Sequence, residues 1–391
     1  MTILISLAVF MPLPLGIAVL LLFDLYLISR RQFVYYCRQV KGSFWYFGFA
    51  ILNLIVSLWH ANLIGLGFGL FLISLGSYIG YFRRNITPEK FRMMTGLFIA
   101  LSGFVAIVGF TQYVSICARH HIPWTSFEVM ERPGDRITSV YMNANLYATI
   151  CELSILLCLY RYTETPHIRS RVYYIFMAIV NLGMLYLTGC RTAFLPFLLI
   201  FPVYFLMKKK HKLLVVAVCG EMLCLIALLM FPNILPRMSN FSTMVSRIKI
   251  WKSALLMIQD NPIFGCGSHT YGLLWQLYNA HQAPHCHNIY IDTLCSYGIM
   301  GICLVGGYVA TMWKEWNKSP LAIGALLIMG IHGVLDCTFN YPMTLMLLCI
   351  MLNAGKVEDL GEYYKKSDFG NHSFTDIERV FTDGIHRAKS N

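Results

Sequence analysis

Residues 281–313 read "HQAPHCHNIYIDTLCSYGIMGICLVGGYVATMW". Three histidines and a cysteine fall in the first seven positions, and a run apolar enough to enter a bilayer follows directly. The run is read as a membrane span over 289–312. Comparable runs of 18 or more apolar residues recur along the chain, which is the pattern of transmembrane helices. Composition agrees: 57% of the 391 residues are hydrophobic and 13% are charged, against about 25% charged in soluble proteins. Mean hydropathy is +0.59. The fold class is therefore all-α, a polytopic transmembrane bundle.

The expected spans are 3–28, 44–60, 62–82, 93–118, 144–162, 172–189, 192–207, 213–231, 289–312, 320–337 and 340–355, about eleven. The first has no basic region before it and no small-residue cleavage site after it, so it reads as a retained span. Basic residues orient the bundle. "RRQFVYYCRQVK", "RRNITPEKFR", "RYTETPHIRSR", "KKKHK", "KEWNK" and the tail share one side and hold 23 of the 31 Lys and Arg. The other side has Arg119, Arg132, Arg136, Arg191, Arg237, Arg247, Lys249 and Lys252. The net charge of +12 follows from this cytoplasmic bias and implies no nucleic acid. A transmembrane domain is thus expected over 1–355, with outward loops at about 119–143 and 232–288. A cytoplasmic tail is expected over 356–391, where Phe374, Ile377, Phe381 and Ile385 recur at helical spacing. Most of the 13 cysteines lie in apolar spans and read as packing residues. A disulfide between Cys266 and Cys286 is left open.

Few positive charges face outward, so each needs a reason. Arg191, in "LTGCRTAFL", is either a snorkelling arginine or an anion clamp, since guanidinium binds phosphate through paired hydrogen bonds. Arg247 lies within 244–258, where Met244, Ile248, Trp251, Leu255 and Ile258 share one helical face, stopped by "DNP". It too reads as a headgroup contact or an anion ligand. Asn143 and Asn145, in "YMNANLYA", suit a helix cap or a sugar or phosphate contact. His332, Asp336 and Asn340 recur every four residues as a polar stripe, serving structural pairing or a substrate cavity.

"HxxxHCH" offers ligand atoms for zinc, but adjacent residues 285–287 do not readily converge on one ion. One histidine at the mouth of a span is more economical. His287, Ile291, Leu294, Gly298 and Gly301 would form one helical stripe. The glycines would let a neighbouring helix approach and so mount His287 as a general base.

These residues resemble the O-antigen ligase and O-antigen polymerase superfamily. The pattern H-[NSQ]-x9-G-x-x-[GTY] is met by His287, Asn288, Gly298 and Gly301. "NANLYA", "TGCRTAFL", "RIKIWKSALLMIQDNPIFGCGSHTY" and "HGVLDCTFNYP" look like family features in the family's order. The resemblance implies a class C glycosyltransferase-like helical bundle in the bacterial cytoplasmic membrane, its active site facing outward, with no metal or other cofactor. It implies inverting transfer of a glycan from a polyprenyl-diphosphate carrier to a glycan, lipid or protein acceptor. Arg191 and Arg247 would hold the diphosphate, His287 would be the base, and Gly298 and Gly301 would pack the helix. Asn145, Asn288, His332 and Asp336 are candidate substrate contacts. Polymerase and ligase remain alternatives within the family. A lipid-linked-sugar flippase and a zinc-dependent membrane hydrolase are the alternatives outside it.

Overall fold

The structure, a computed structural model, describes residues 1–125, 133–231 and 242–366. All regular structure among them is helical. The expected first span is two pieces, α1 (Thr2–Ser6) and α2 (Leu13–Ser29). Pro12 and Pro14 lack the N–H that would continue one into the other. α3 (Phe33–Arg38), α4 (Ser43–Trp59), α5 (Leu63–Asn85) and α6 (Pro88–Arg119) follow. Asn62 and Thr87 cap the last two by accepting backbone N–H groups of Gly65 and Lys90.

Next come α7 (Ala144–Glu164), α8 (Ile168–Leu187), α9 (Phe197–Met207), α10 (His211–Met230), α11 (Ser242–Asp260) and α12 (Thr270–Leu274). α13 (Ile289–Trp316), α14 (Pro320–His332), α15 (Pro342–Leu352) and α16 (Ala354–Lys366) complete the described chain. Among the described residues, α5, α6, α8, α10 and α13 are long and apolar enough to cross a membrane. The other expected spans overlap helices that are shorter or more polar. α9 and α14 stop short because polar turns at 188–194 and 333–340 enter the bundle beside them. α16 continues past residue 355, and the helical pattern at Phe374–Ile385 lies outside the described residues.

α7 sits at the centre, with almost every side chain from Ala144 to Cys158 buried. Within the expected outward loop, residues 242–288 build α11, matching the helical face expected over 244–258, then α12 and a segment packed on α13. They share a small second core of Ile250, Ala254, Met257, Tyr271, Cys286 and Cys295. Of the apolar face expected on α11, Trp251 and Ile258 pack against this core. Ile250, Ala254 and Met257 point inward, while Met244, Ile248 and Leu255 are exposed. Arg247 lies three residues before Ile250, so the same inward face carries it toward the bundle.

The glycine stripe expected on α13 is also corrected. The helix begins at Ile289, after His287, and Gly298 kinks it with φ 60° and ψ −164°. At Gly298 the approaching chain is the backbone of residues 262–264. The freed N–H groups of Ile299 and Met300 donate to the carbonyls of Pro262 and Ile263 at 2.9 and 3.0 Å. Gly267 N–H returns a bond of 2.8 Å to Ser296 O. A Cβ on Gly298 would stand 2.4 Å from the Ile263 backbone. A Cβ on Gly301 would meet Tyr297 of its own helix and, at 3.7 Å, Phe49 of α4.

Candidate functional site

His287 is mounted by its backbone. Its φ of 50° puts it in the left-handed region, outside α13. Asn288 caps that helix, its Oδ1 accepting the N–H groups of Tyr290 and Ile291 at 3.0 Å each. Its Nδ2 donates to Val334 O at 3.0 Å, and Ile289 N–H donates to Gly333 O at 2.7 Å. The turn after α14 is thereby tied to the start of α13. Between the two histidines, Cys286 is held at both backbone ends. Its N–H donates to Asp292 Oδ1 at 2.9 Å and its carbonyl accepts Trp251 Nε1 at 3.0 Å.

Asp336 is buried where these segments meet. Asn145 Nδ2 donates to its Oδ2 at 2.5 Å, and its Oδ1 accepts Cys337 N–H at 2.8 Å. His287 Nδ1 stands 3.6 Å and His285 Nε2 3.8 Å from that same Oδ1. At 3.6 Å the His287 contact is longer than a hydrogen bond. Asn145 is available because Asn143 is the actual cap of α7, accepting the N–H groups of Asn145 and Leu146. On its other side Asn145 Oδ1 accepts Arg136 Nη2 at 2.5 Å, while Arg136 Nε donates to Thr188 O at 2.6 Å.

Arg136, Asn145, Arg191, Arg247, His281 and His287 line one cleft of about 330 Å³. No carboxylate is among its described lining residues. Arg191 follows a turn with Gly189 at φ 62°, and its Nη2 donates to Thr243 Oγ1 at 3.1 Å, reaching the first turn of α11. Three guanidiniums gathered in one wall make a positive concavity suited to an anion.

The expected polar stripe on the tenth span is not one face. α14 ends at His332, so Asp336 and Asn340 lie in the following turns. Each finds a different partner: His332 meets Glu152, Asp336 meets Asn145, and Asn340 Nδ2 donates to Asp292 Oδ2 at 2.6 Å. Of the four candidate contacts, only Asn145 lines the cleft. Asp336 backs its wall, Asn288 serves as helix cap, and His332 lies fully buried behind the Cys190–Thr192 turn.

His285 Nε2, His287 Nδ1 and Asp336 Oδ1 lie within 4.8 Å of one another, the ligand number of a catalytic zinc site. The proton positions fit poorly. His285 Nδ1 accepts His287 N–H at 3.2 Å, so its neutral ring carries the proton on Nε2, the atom a metal would need bare. Burial keeps that ring neutral, holding His285 below the usual histidine range despite nearby Asp336. His281 is not in this trio. A hydrogen bond with Cys295 and burial push the Cys286 thiol well up, so it stays a protonated core residue. Among the described residues every cysteine is free, Cys266 and Cys286 included. His285 and Arg136 make site contacts that their local sequence does not announce. Arg136 had one usable signal, as an isolated outward arginine.

The apolar helical bundle and its cleft define a membrane protein in which three arginines and a histidine face one cavity. A family model described as O-antigen ligase matches residues 176–306. The match supports the O-antigen ligase and polymerase superfamily, and with it a bacterial membrane glycan ligase or polymerase in general terms, a glycosyltransferase-like enzyme. It covers Arg191, Arg247, His287, Gly298 and Gly301, while Arg136, Asn145 and Asp336 lie outside it. No curated protein matches the chain.

Proposed function

We propose that the protein transfers a glycan from a polyprenyl-diphosphate carrier to an acceptor hydroxyl, at the outer face of the bacterial cytoplasmic membrane. One observation carries this reading: Arg136, Arg191 and Arg247 share one cleft with His287, and Asp336 stands behind His287. The family match supports the glycan chemistry, and the arginines support the diphosphate.

The acceptor oxygen attacks the anomeric carbon as the bond from that carbon to the diphosphate oxygen breaks. The bonding pair leaves with the diphosphate, where preorganised guanidiniums stabilise the growing charge. His287 takes the acceptor proton on Nε2, and its Nδ1–H faces Asp336, which stabilises the imidazolium. One direct displacement inverts the anomeric centre. No metal enters this scheme, because the arginines supply the positive charge.

The test is purified protein with a synthetic polyprenyl-diphosphate oligosaccharide, scored for chain extension and for transfer to a second acceptor. Extension marks a polymerase and transfer a ligase. Undiminished turnover by His287→Ala, or loss of activity on chelation that added metal restores, would overturn the scheme.

A further inference from the structure

A second histidine–carboxylate pair lies deeper in the bundle, unused by the scheme above. Glu152, midway along α7, and His332, the last residue of α14, are each fully buried. His332 Nδ1 and Glu152 Oε2 are 2.7 Å apart. The second carboxylate oxygen, Oε1, has no hydrogen-bond partner among the described residues. Desolvation offsets most of the attraction in a pair this deep, so stability alone is a weak reason to keep one. An unsatisfied carboxylate oxygen inside a bundle calls for another explanation.

The far side of the imidazole supplies it. His332 Nε2 is 3.4 Å from Thr192 Oγ1 and 3.9 Å from Cys190 Sγ. Those atoms are themselves 3.4 Å apart. Cys190 and Thr192 flank Arg191, and both line the cleft. The ring therefore lies between a buried carboxylate and the two neighbours of a cleft arginine. His332 O also accepts Asp336 N–H at 3.1 Å, so the same residue begins the turn that presents Asp336.

We infer that Glu152 and His332 are positioning residues for Arg191. Glu152 fixes the ring through Nδ1, and Nε2 holds Thr192 and Cys190 so that the guanidinium between them faces the diphosphate. The inference rests on the proposed diphosphate role of Arg191. Neither residue touches substrate, so their loss weakens donor binding and leaves the displacement itself intact.

The experiment measures binding of a short-chain polyprenyl diphosphate to the detergent-solubilised full chain, with donor KM and kcat in the transfer assay. Glu152→Gln keeps the shape and removes the charge. It is expected to weaken binding and raise donor KM on the order of tenfold with kcat within about twofold, as loss of uniform binding does. Thr192→Val cuts the same contact at the cleft wall without disturbing the buried pair. It should give the same KM rise even if Glu152→Gln fails to fold. In an Arg191→Ala background, Thr192→Val should cost nothing more, because a positioning residue acts only through the group it positions. An additive loss in the double variant, or a Thr192→Val protein with unchanged donor KM, overturns the inference. If Arg191→Ala itself binds the diphosphate normally, the diphosphate role of Arg191 fails instead.

Discussion

Asp336 Oδ1 stands 3.6 Å from His287 Nδ1, and the aspartate's other oxygen accepts Asn145 Nδ2 at 2.5 Å. The carboxylate thus connects the histidine to Arg136, whose Nη2 donates to the same asparagine. One buried side chain joins the proposed base to the arginine wall of the cleft.

Asp336→Asn tests the base's support. It keeps the volume but removes the charge that favours the Nδ1–H tautomer and the imidazolium. A fall in kcat of about 10²–10⁴-fold with little change in donor KM is expected. Steady-state transfer kinetics at saturating acceptor measure it, and a kcat within threefold of the parent would refute the pairing.

The three cleft arginines should not behave alike. Arg247 has no hydrogen-bond or ion-pair partner among the described residues, so Arg247→Ala should raise donor KM with thermal stability unchanged. Arg136→Ala also releases Asn145 and Thr188, so kcat should fall together with the rise in KM. Lys at either position should rescue incompletely, because an ammonium cannot bind phosphate in the paired geometry. Calorimetry and kinetics on the four variants separate these outcomes.

Gly298→Ala combines a positive φ with a Cβ 2.4 Å from the Ile263 backbone. A loss of about 2–4 kcal/mol is expected from strain and overpacking together. Thermal unfolding in detergent should show a lowered midpoint, with His287 misplaced and activity reduced. Gly306→Ala is the control, because nothing lies within 4 Å of the added methyl.

Acid should destabilise the site through His285. Burial depresses its pKa in the folded protein, so below about pH 6.5 the unfolded chain takes up a proton that the folded one resists. Stability is then present above that value and lost as pH falls toward the folded pKa. His285→Gln should flatten this acid limb. Unfolding midpoints of parent and variant between about pH 5 and 8 provide the check, and parallel curves would count against it.

The motif H-N-x9-G-x-x-G was legible in the sequence, but its mechanics were not. Helical periodicity put His287, Gly298 and Gly301 on one stripe. In the structure His287 precedes the helix and Gly298 breaks it. A sequence pattern records which positions are small, without saying whether a helix or an extended backbone fills the space. Similarly, the apolar stripe of α11 is divided, with Met244, Ile248 and Leu255 exposed and Trp251 and Ile258 packed on the small core, because periodicity identifies faces and cannot say which residues meet protein. Asp336 was noticed for its spacing from His332, yet its partners come from α7 and the 285–287 segment. His285 was set aside as loop because nothing local distinguishes a buried histidine from a solvated one.

The sequence by itself determined a helical membrane protein, a charge-sparse face carrying isolated arginines, and one histidine in a recognisable setting. Those features are local, since hydropathy, charge and short-range spacing are properties of adjacent residues. Only the tertiary structure decided that Arg136, Arg191, Arg247 and His287 share one cleft, and that Asp336 supports the histidine. These residues lie on α11, the turns before α7 and α13, and the turns after α8 and α14. The pairing of groups so distant in sequence is settled by how the helices pack and where their broken ends find hydrogen bonds.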